Sequence, residues 1–225
     1  SYSGVAICVS ALWVVCLRVG LMVSPQEHRL RKETSLARED ALTGLPNARA
    51  FRETAQTTFD FARRRGLSVA VGYVDLDNFK LLNDRHGHES GDEALRVVAD
   101  VLRTSLRQGD LAARLGGDEF GIALQAETAA GAEIALRRVV TSVGERMSAK
   151  EWPVTASAGL VFFPEPPATV AEALGEADEV MYRAKRSGKN CVLVAERAVA
   201  DEEASRASRP EVTPKASGEQ RGASR

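Results

Sequence analysis

The chain has 225 residues, 44% of them hydrophobic, enough for one sizeable core without a disulfide scaffold. Lys and Arg number 30 against 31 Asp and Glu, and this net charge of -1 excludes a bulk electrostatic grip on a nucleic acid polymer. The three cysteines, Cys8, Cys16 and Cys191, show no paired spacing, which excludes a CxxC zinc site.

Composition divides the chain. Residues 4–23, GVAICVSALWVVCLRVGLMV, carry one charge, Arg18, and have the length of a membrane-spanning helix. Arg18 lies toward one end, where its side chain can snorkel. The basic flank His28–Lys32 places that side in the cytoplasm. A cleaved signal peptide is the rival reading, but no basic region precedes the apolar run. Residues 1–23 are therefore expected to be a transmembrane helix at the end of a longer protein. Residues 24–40, rich in Arg and Glu, are expected to form a solvated connecting helix. Residues 41–197 are the expected folded domain. Beyond residue 200 the one large apolar residue is Val212, so the tail 198–225 is expected to be disordered.

Within the domain, the residues after Pro46 through Arg65 read as a helix with Phe51, Ala55, Phe59 and Ala62 on one face. LSVAVGYVDL (67–76) reads as a buried strand. Leu95, Val98, Leu102 and Leu106 have helical spacing over 92–107. LAARL (111–115) and EFGIAL (119–124) read as a hairpin turning at Gly116-Gly117-Asp118. A helix through Ala132, Leu136, Val139, Val140 and Val143 follows, then a strand over 154–163 closed by Pro164. The last elements are a helix striped from Val170 to Ala184 and a strand over 190–194. From residue 67 the order is β-α-β-β-α-β-α-β, and its first six elements match the split βαβ arrangement of ferredoxin-like sheets.

The carboxylates are the chemical signal. Asp75 and Asp77 interrupt the end of an apolar strand, while Asp118 and Glu119 occupy a glycine-rich hairpin turn. If the hairpin pairs beside the first strand, both clusters meet at one sheet edge. Packed carboxylates repel unless a cation holds them, and hard oxygens suit Mg²⁺ or Mn²⁺. Taken alone, Asp118 reads first as a polar turn residue, and it is the second acidic cluster that weakens that reading. In DNFKLLNDRHGHESGDEAL (77–95), Lys80 could neutralise phosphate, and Asn83 and Asp92 could bond a base edge. Taken alone, Asp92 reads first as a cap or dipole partner near a helix start. His86 and His88 have no third ligand beside them and read as loop or capping residues.

Four segments together resemble the diguanylate cyclase family. RLGGDEF (114–120) contains the family's GGDEF signature, and VDLDNFKLLNDRHGHESGDEAL (74–95) is similar to its first-strand and substrate-loop motif. DALTGLPNARAF (40–51) resembles its leading motif, with Ala48 where arginine is common. ADEVMYRAKRSGKN (177–190) resembles its last helix and turn. The four occur in family order and spacing.

The resemblance implies an α/β (α+β), palm-like fold with a ferredoxin-related sheet flanked by helices. It implies condensation of two GTP into cyclic di-GMP and two pyrophosphates, a second-messenger reaction. Asp75 and Asp118 would bind two divalent metals per active site by their side chains and Leu76 by its carbonyl. Asp118 would also accept a proton, and Glu119 is required. Asn83 and Asp92 would hold guanine, and Lys80, Lys185 and Lys189 the phosphates, helped by the N–H groups of Asn78 and Phe79. Gly116 and Gly117 would shape the turn. Lys189 stands where arginine is frequent, so its phosphate contact is not bidentate. Arg107 and Asp110, an RxxD five residues before the signature, match the family's inhibitory product site, with Arg138 as a secondary arginine. Each domain would hold one GTP, so activity implies a homodimer of facing domains. The expected location is a bacterial inner membrane, with residues 4–23 in the bilayer and the domain in the cytoplasm. The alternative is a non-catalytic nucleotide-binding signalling module of the same family; intact Asp75, Asp118 and Glu119 favour the enzyme.

Overall fold

The structure, a computed structural model, describes residues 38–198. The apolar segment 4–23, the tail from 199 onward and residues 24–37 of the connecting segment lie outside the described residues. Among the described residues no helix is long and apolar enough to cross a membrane. Arg38, Glu39 and Asp40 are not helical, and Glu39 forms an isolated bridge with Pro46. The expectation of a helix reaching residue 40 is thus not met at residues 38–40, because this stretch is committed to a tight turn. There the Asp40 carboxylate accepts from the N–H and hydroxyl of Thr43, at 2.9 and 2.6 Å.

Helix α1 (Ala48–Arg65) begins where the Asn47 side chain accepts from the Ala50 N–H, and it ends at Gly66, whose φ of 62° is left-handed. Strand β1 (Val69–Asp77) follows, then α2 (Phe79–His86), α3 (His88–Ser105), β2 (Leu111–Gly116), β3 (Glu119–Gln125), α4 (Ala129–Ser148), β4 (Thr155–Phe163), α5 (Val170–Arg186) and β5 (Val192–Glu196). The sheet order is β2-β3-β1-β4-β5. Strand β1 pairs antiparallel with β3 and β4, and β5 pairs parallel with β4. The first four strands keep the expected ferredoxin-related order, and β5 extends the edge.

Alternation along the strands sends two apolar sets to opposite faces. Val69 and Val71 pack with Phe51 and Phe59 of α1 and Ala177 and Val180 of α5. Ala70, Val74 and Leu76 pack with Leu82 of α2, Leu102 of α3 and Leu136 of α4. Helix α5 lies very close to the sheet at Gly159, where a Cβ would overlap the backbone N of Met181 and O of Ala177.

Helix α2 was not expected. The single helix read over 92–107 is α3, and it starts earlier, at His88. The intervening loop is instead a separate two-turn helix, entered through Asn78 with φ 60° and left through Gly87 with φ 83°. Two left-handed residues break the chain into two helices that apolar periodicity alone merges with a loop. Strand starts also shift inward: Leu67 is outside β1 and exposed, and β5 begins at Val192.

Candidate active site

The site lies where β1 ends beside the β2–β3 turn. Asp75 pairs in register with Glu119, so their side chains share one face. The Leu76 N–H donates to the Asp118 carbonyl at 3.3 Å, fixing the turn against the strand. Gly116 and Gly117 have φ of 158° and 49°, so the tip is left-handed at Gly117. From α5, Lys185 reaches across and its Nζ lies 2.5 Å from Asp75 Oδ1. The structure thus brings together Asp75, Leu76, Asp118, Glu119, Gly116, Gly117 and Lys185.

This cluster is electrostatically tense. Burial raises the Asp75 carboxyl above its ordinary value, and the charges of Asp118 and Glu119 raise it further, against the opposing hydrogen bond and charge of Lys185. One ammonium therefore leaves three carboxylates under-neutralised, which fits a site for an added cation. Among the described residues no group of three or more His, Cys, Asp or Glu is arranged as a metal centre. A cation here would share two carboxylates and fill its shell from backbone, phosphate and water oxygens, the habit of Mg²⁺.

Asp77 does something else. Its carboxylate accepts from Thr155 at 2.8 Å, from Ser157 at 2.9 Å and from the Asn190 N–H at 3.0 Å. It is a buried brace that ties β1 to β4 and to the turn after α5. That turn presents Lys189, with φ 65°, whose Nζ donates to Asn78 Oδ1 at 3.1 Å. Asn78 Nδ2 in turn donates to the Pro153 carbonyl at 3.0 Å. Phe79 opens α2, so its N–H is among the unpaired donors of a helix N-terminus. Lys80 is exposed one residue further on.

Asn83 lies on α2 against α3, and its Oδ1 is buried without a protein donor. Asp92, exposed in the second turn of α3, follows Gly91, the residue that Asn83 faces. Asp92 is thus further inside the helix than the sequence suggested, and its side chain is left for solvent or ligand. His86 and His88 end α2 and begin α3, both exposed.

Arg107, Asp110 and Arg138 are not part of this cluster. They line a separate cavity of about 890 Å³. Arg107 Nε lies 3.6 Å from Asp110 Oδ1, and Arg138 Nη2 donates to the Ser105 carbonyl. The Asp110 side chain is nearly buried while that of Arg107 is 71% exposed, and Arg107 Nη2 also donates to the Gln125 carbonyl.

Two parts of the site were missed from sequence. Tyr73, two residues before Asp75 on the same face, hydrogen-bonds Glu119; burial first, then the Glu119 charge and this bond, push its phenol above its ordinary value. The period of two in a strand could have placed it. Arg114 is the other: Nη1 contacts both Asp40 oxygens at 3.1 and 3.2 Å, while Nε and Nη2 donate to the Gly117 carbonyl at 2.9 and 2.7 Å. One guanidinium therefore joins the beginning of the domain to the tip of the hairpin. Only the fork geometry of arginine spans both.

Residues 37–191 match the family described as "Diguanylate cyclase, GGDEF domain". The chain is 39% identical over 153 residues to the diguanylate cyclase DgcS of Shewanella oneidensis, covering 68% of this chain and 51% of that protein. It is 33% identical over 175 residues to the cyclic di-GMP phosphodiesterase NbdA of Pseudomonas aeruginosa, covering 77% of this chain and 22% of that protein. The chain thus spans about half or less of these curated relatives. The crystal structure of the GGDEF domain of DgcB from Caulobacter crescentus, in complex with c-di-GMP, superposes with a TM-score of 0.65 at 30% identity, covering 70% of this chain and 95% of that one. With the signature turn, the clustered carboxylates and the sheet order already in place, these likenesses settle the family: the chain belongs to the GGDEF-domain family.

Proposed function

We propose that the chain is a diguanylate cyclase that condenses two GTP into cyclic di-GMP and two pyrophosphates. The observation that carries this reading is the meeting of Asp75, Asp118 and Glu119 at one sheet edge beside Lys185. The 3′-oxygen of one GTP bonds to the α-phosphorus of the other, the α–β bridge bond breaks, and pyrophosphate leaves. Asp118 accepts the hydroxyl proton. Lys185, Lys189 and Lys80 hold phosphate, with the N–H groups of Asn78 and Phe79, and Asn83 and Asp92 hold guanine. Asp75, Asp118 and the Leu76 carbonyl would hold Mg²⁺ or Mn²⁺, two ions per site. Such ions, when bound, lower the hydroxyl pKa and neutralise charge in the transition state. Incubating the purified chain with GTP and Mg²⁺ tests the reading. Appearance of cyclic di-GMP supports it; GTP binding without any product would leave a non-catalytic module.

The reaction needs two GTP, and each domain holds one. Two domains must therefore face each other. Rate per subunit is expected to rise with protein concentration until dimers saturate, measured by pyrophosphate release across a dilution series. A chain starting at Glu39 is expected to need a higher concentration, because tethering raises the effective concentration of a partner. Residues 4–23 are proposed to hold the pair in a bacterial inner membrane, with the catalytic domains in the cytoplasm.

Cyclic di-GMP is proposed to bind back at Arg107 and Asp110, with Arg138 as an additional anchor. Its phosphates and guanine edges suit a guanidinium and a carboxylate. Binding there holds the two sites apart, shifting the population from the reactive dimer. Inhibition by product is expected to be non-competitive with GTP. Arg107→Ala is expected to raise the inhibitory concentration about tenfold while initial turnover stays near wild type, as the loss of one charge-assisted contact implies. Progress curves with added product check both points.

A further inference from the structure

We propose that Gly91 is a specificity-determining position: its bare Cα makes the space in which the Asn83 amide stands to select a guanine base. This rests on the nucleotide reading above and deepens it. Gly91 is buried inside α3, in its first turn. Its N–H already donates along the helix to Gly87, so no special backbone conformation requires glycine there. What requires it is the neighbour. A Cβ at Gly91 would overlap Asn83 Oδ1 and lie 2.9 Å from Asn83 Cγ and 3.3 Å from Nδ2. The three nearest atoms all belong to the amide, the end of a flexible side chain. A methyl group would therefore be accommodated by turning the amide aside rather than by parting α2 from α3.

The amide is also chemically unfinished. Its Oδ1 is buried and has no donor from the protein. A buried acceptor without a partner is unfavourable, and a ligand that brings donors relieves it. Asp92, next along α3 from Gly91, is an exposed acceptor close by in the chain. Guanine carries N–H donors on its Watson–Crick edge and acceptors at O6 and N7, so it complements a carboxylate and an amide presented together. Adenine lacks the N1–H. Gly91 thus acts through Asn83 on base choice without touching the nucleotide.

A helix glycine replaced by alanine ordinarily stabilises. Gly91→Ala is accordingly expected to leave the thermal midpoint unchanged or higher, yet to weaken a non-hydrolysable GTP analogue about tenfold or more, the loss an unpaired polar partner implies. The matching ATP analogue is expected to bind both proteins alike. In an Asn83→Ala background the same substitution is expected to change affinity for the GTP analogue by less than about twofold, because the two residues act as one unit. Calorimetric titration of the full chain and its three variants reads all of this. Wild-type affinity for the GTP analogue in Gly91→Ala, or an equal loss in the Asn83→Ala background, overturns the proposal while the nucleotide reading stands. Absence of binding to wild-type protein overturns the nucleotide reading and the proposal together. Should Gly91→Ala melt early, recovery of the midpoint in the double variant supports the Asn83 contact, and no recovery overturns it.

Discussion

Asp118→Asn is expected to cut turnover by about 10²–10⁴-fold, the range for removing a group that handles a proton or charge in the transition state. The substitution keeps shape and removes a charge. It keeps the Asp118 carbonyl, which accepts from Leu76, so the hairpin stays docked on β1. It also removes one of the two carboxylate charges that raise Asp75. The thermal midpoint should therefore hold or rise while catalysis collapses. Product formation by chromatography, set against a thermal melt of the same sample, separates the two. Turnover within about twofold of wild type in a folded Asp118→Asn protein would falsify the assigned role, since a working general base or metal ligand is worth far more.

Gly159→Ala is expected to be the most damaging single methyl group in the domain. Its Cβ would overlap Met181 N and Ala177 O and lie 2.7 Å from Val180 C. These are backbone atoms of α5 and cannot swing aside. The cost should sit at the upper end of overpacking, about 3 kcal/mol or more. The effect should not stop at stability, because α5 carries Lys185 to Asp75. Lifting the helix would withdraw that ammonium, so folded Gly159→Ala protein should also be slow. Gly175→Ala is the control. That residue is in α5 itself, with nothing within 4 Å of a new Cβ, and a gain of about 0.5–1 kcal/mol is expected. Denaturant midpoints of the two variants should move in opposite directions; an unchanged or higher midpoint in Gly159→Ala would show that the close approach of α5 to β4 does not decide.

The central strand, the hairpin and the meeting of Asp75 with Glu119 were legible because each is a local pattern. An apolar run, two glycines in a turn and one antiparallel pairing suffice. The roles of Asp75 and Asp77 looked alike in sequence and are not. Asp75 faces Lys185, whereas Asp77 is consumed by Thr155, Ser157 and Asn190, residues from strands and turns far along the chain. No periodicity reports such partners. Helix α2 was invisible for another reason. Its limits are set by positive-φ backbone at Asn78 and Gly87, and asparagine, though enriched at positive φ, adopts ordinary backbone far more often. The Arg114 clamp likewise depends on Asp40 and Gly117 arriving together through the fold.

The ordering of strands has a consequence for the birth of the protein. Strand β1 leaves the ribosome early, yet its partners β3 and β4 and the helix that supplies Lys185 are made much later. Until β3 emerges, both edges of an almost wholly apolar strand are unpaired, and until α5 emerges one of its faces is half uncovered. Nonlocal pairing of this kind is slow and leaves nascent chains prone to aggregation. A ribosome halted before residue 185 carries a chain with the signature turn complete and no ammonium at Asp75. The acidic half of the centre is thus made long before the basic half, and a chain cut short between them keeps its carboxylates without their counter-charge.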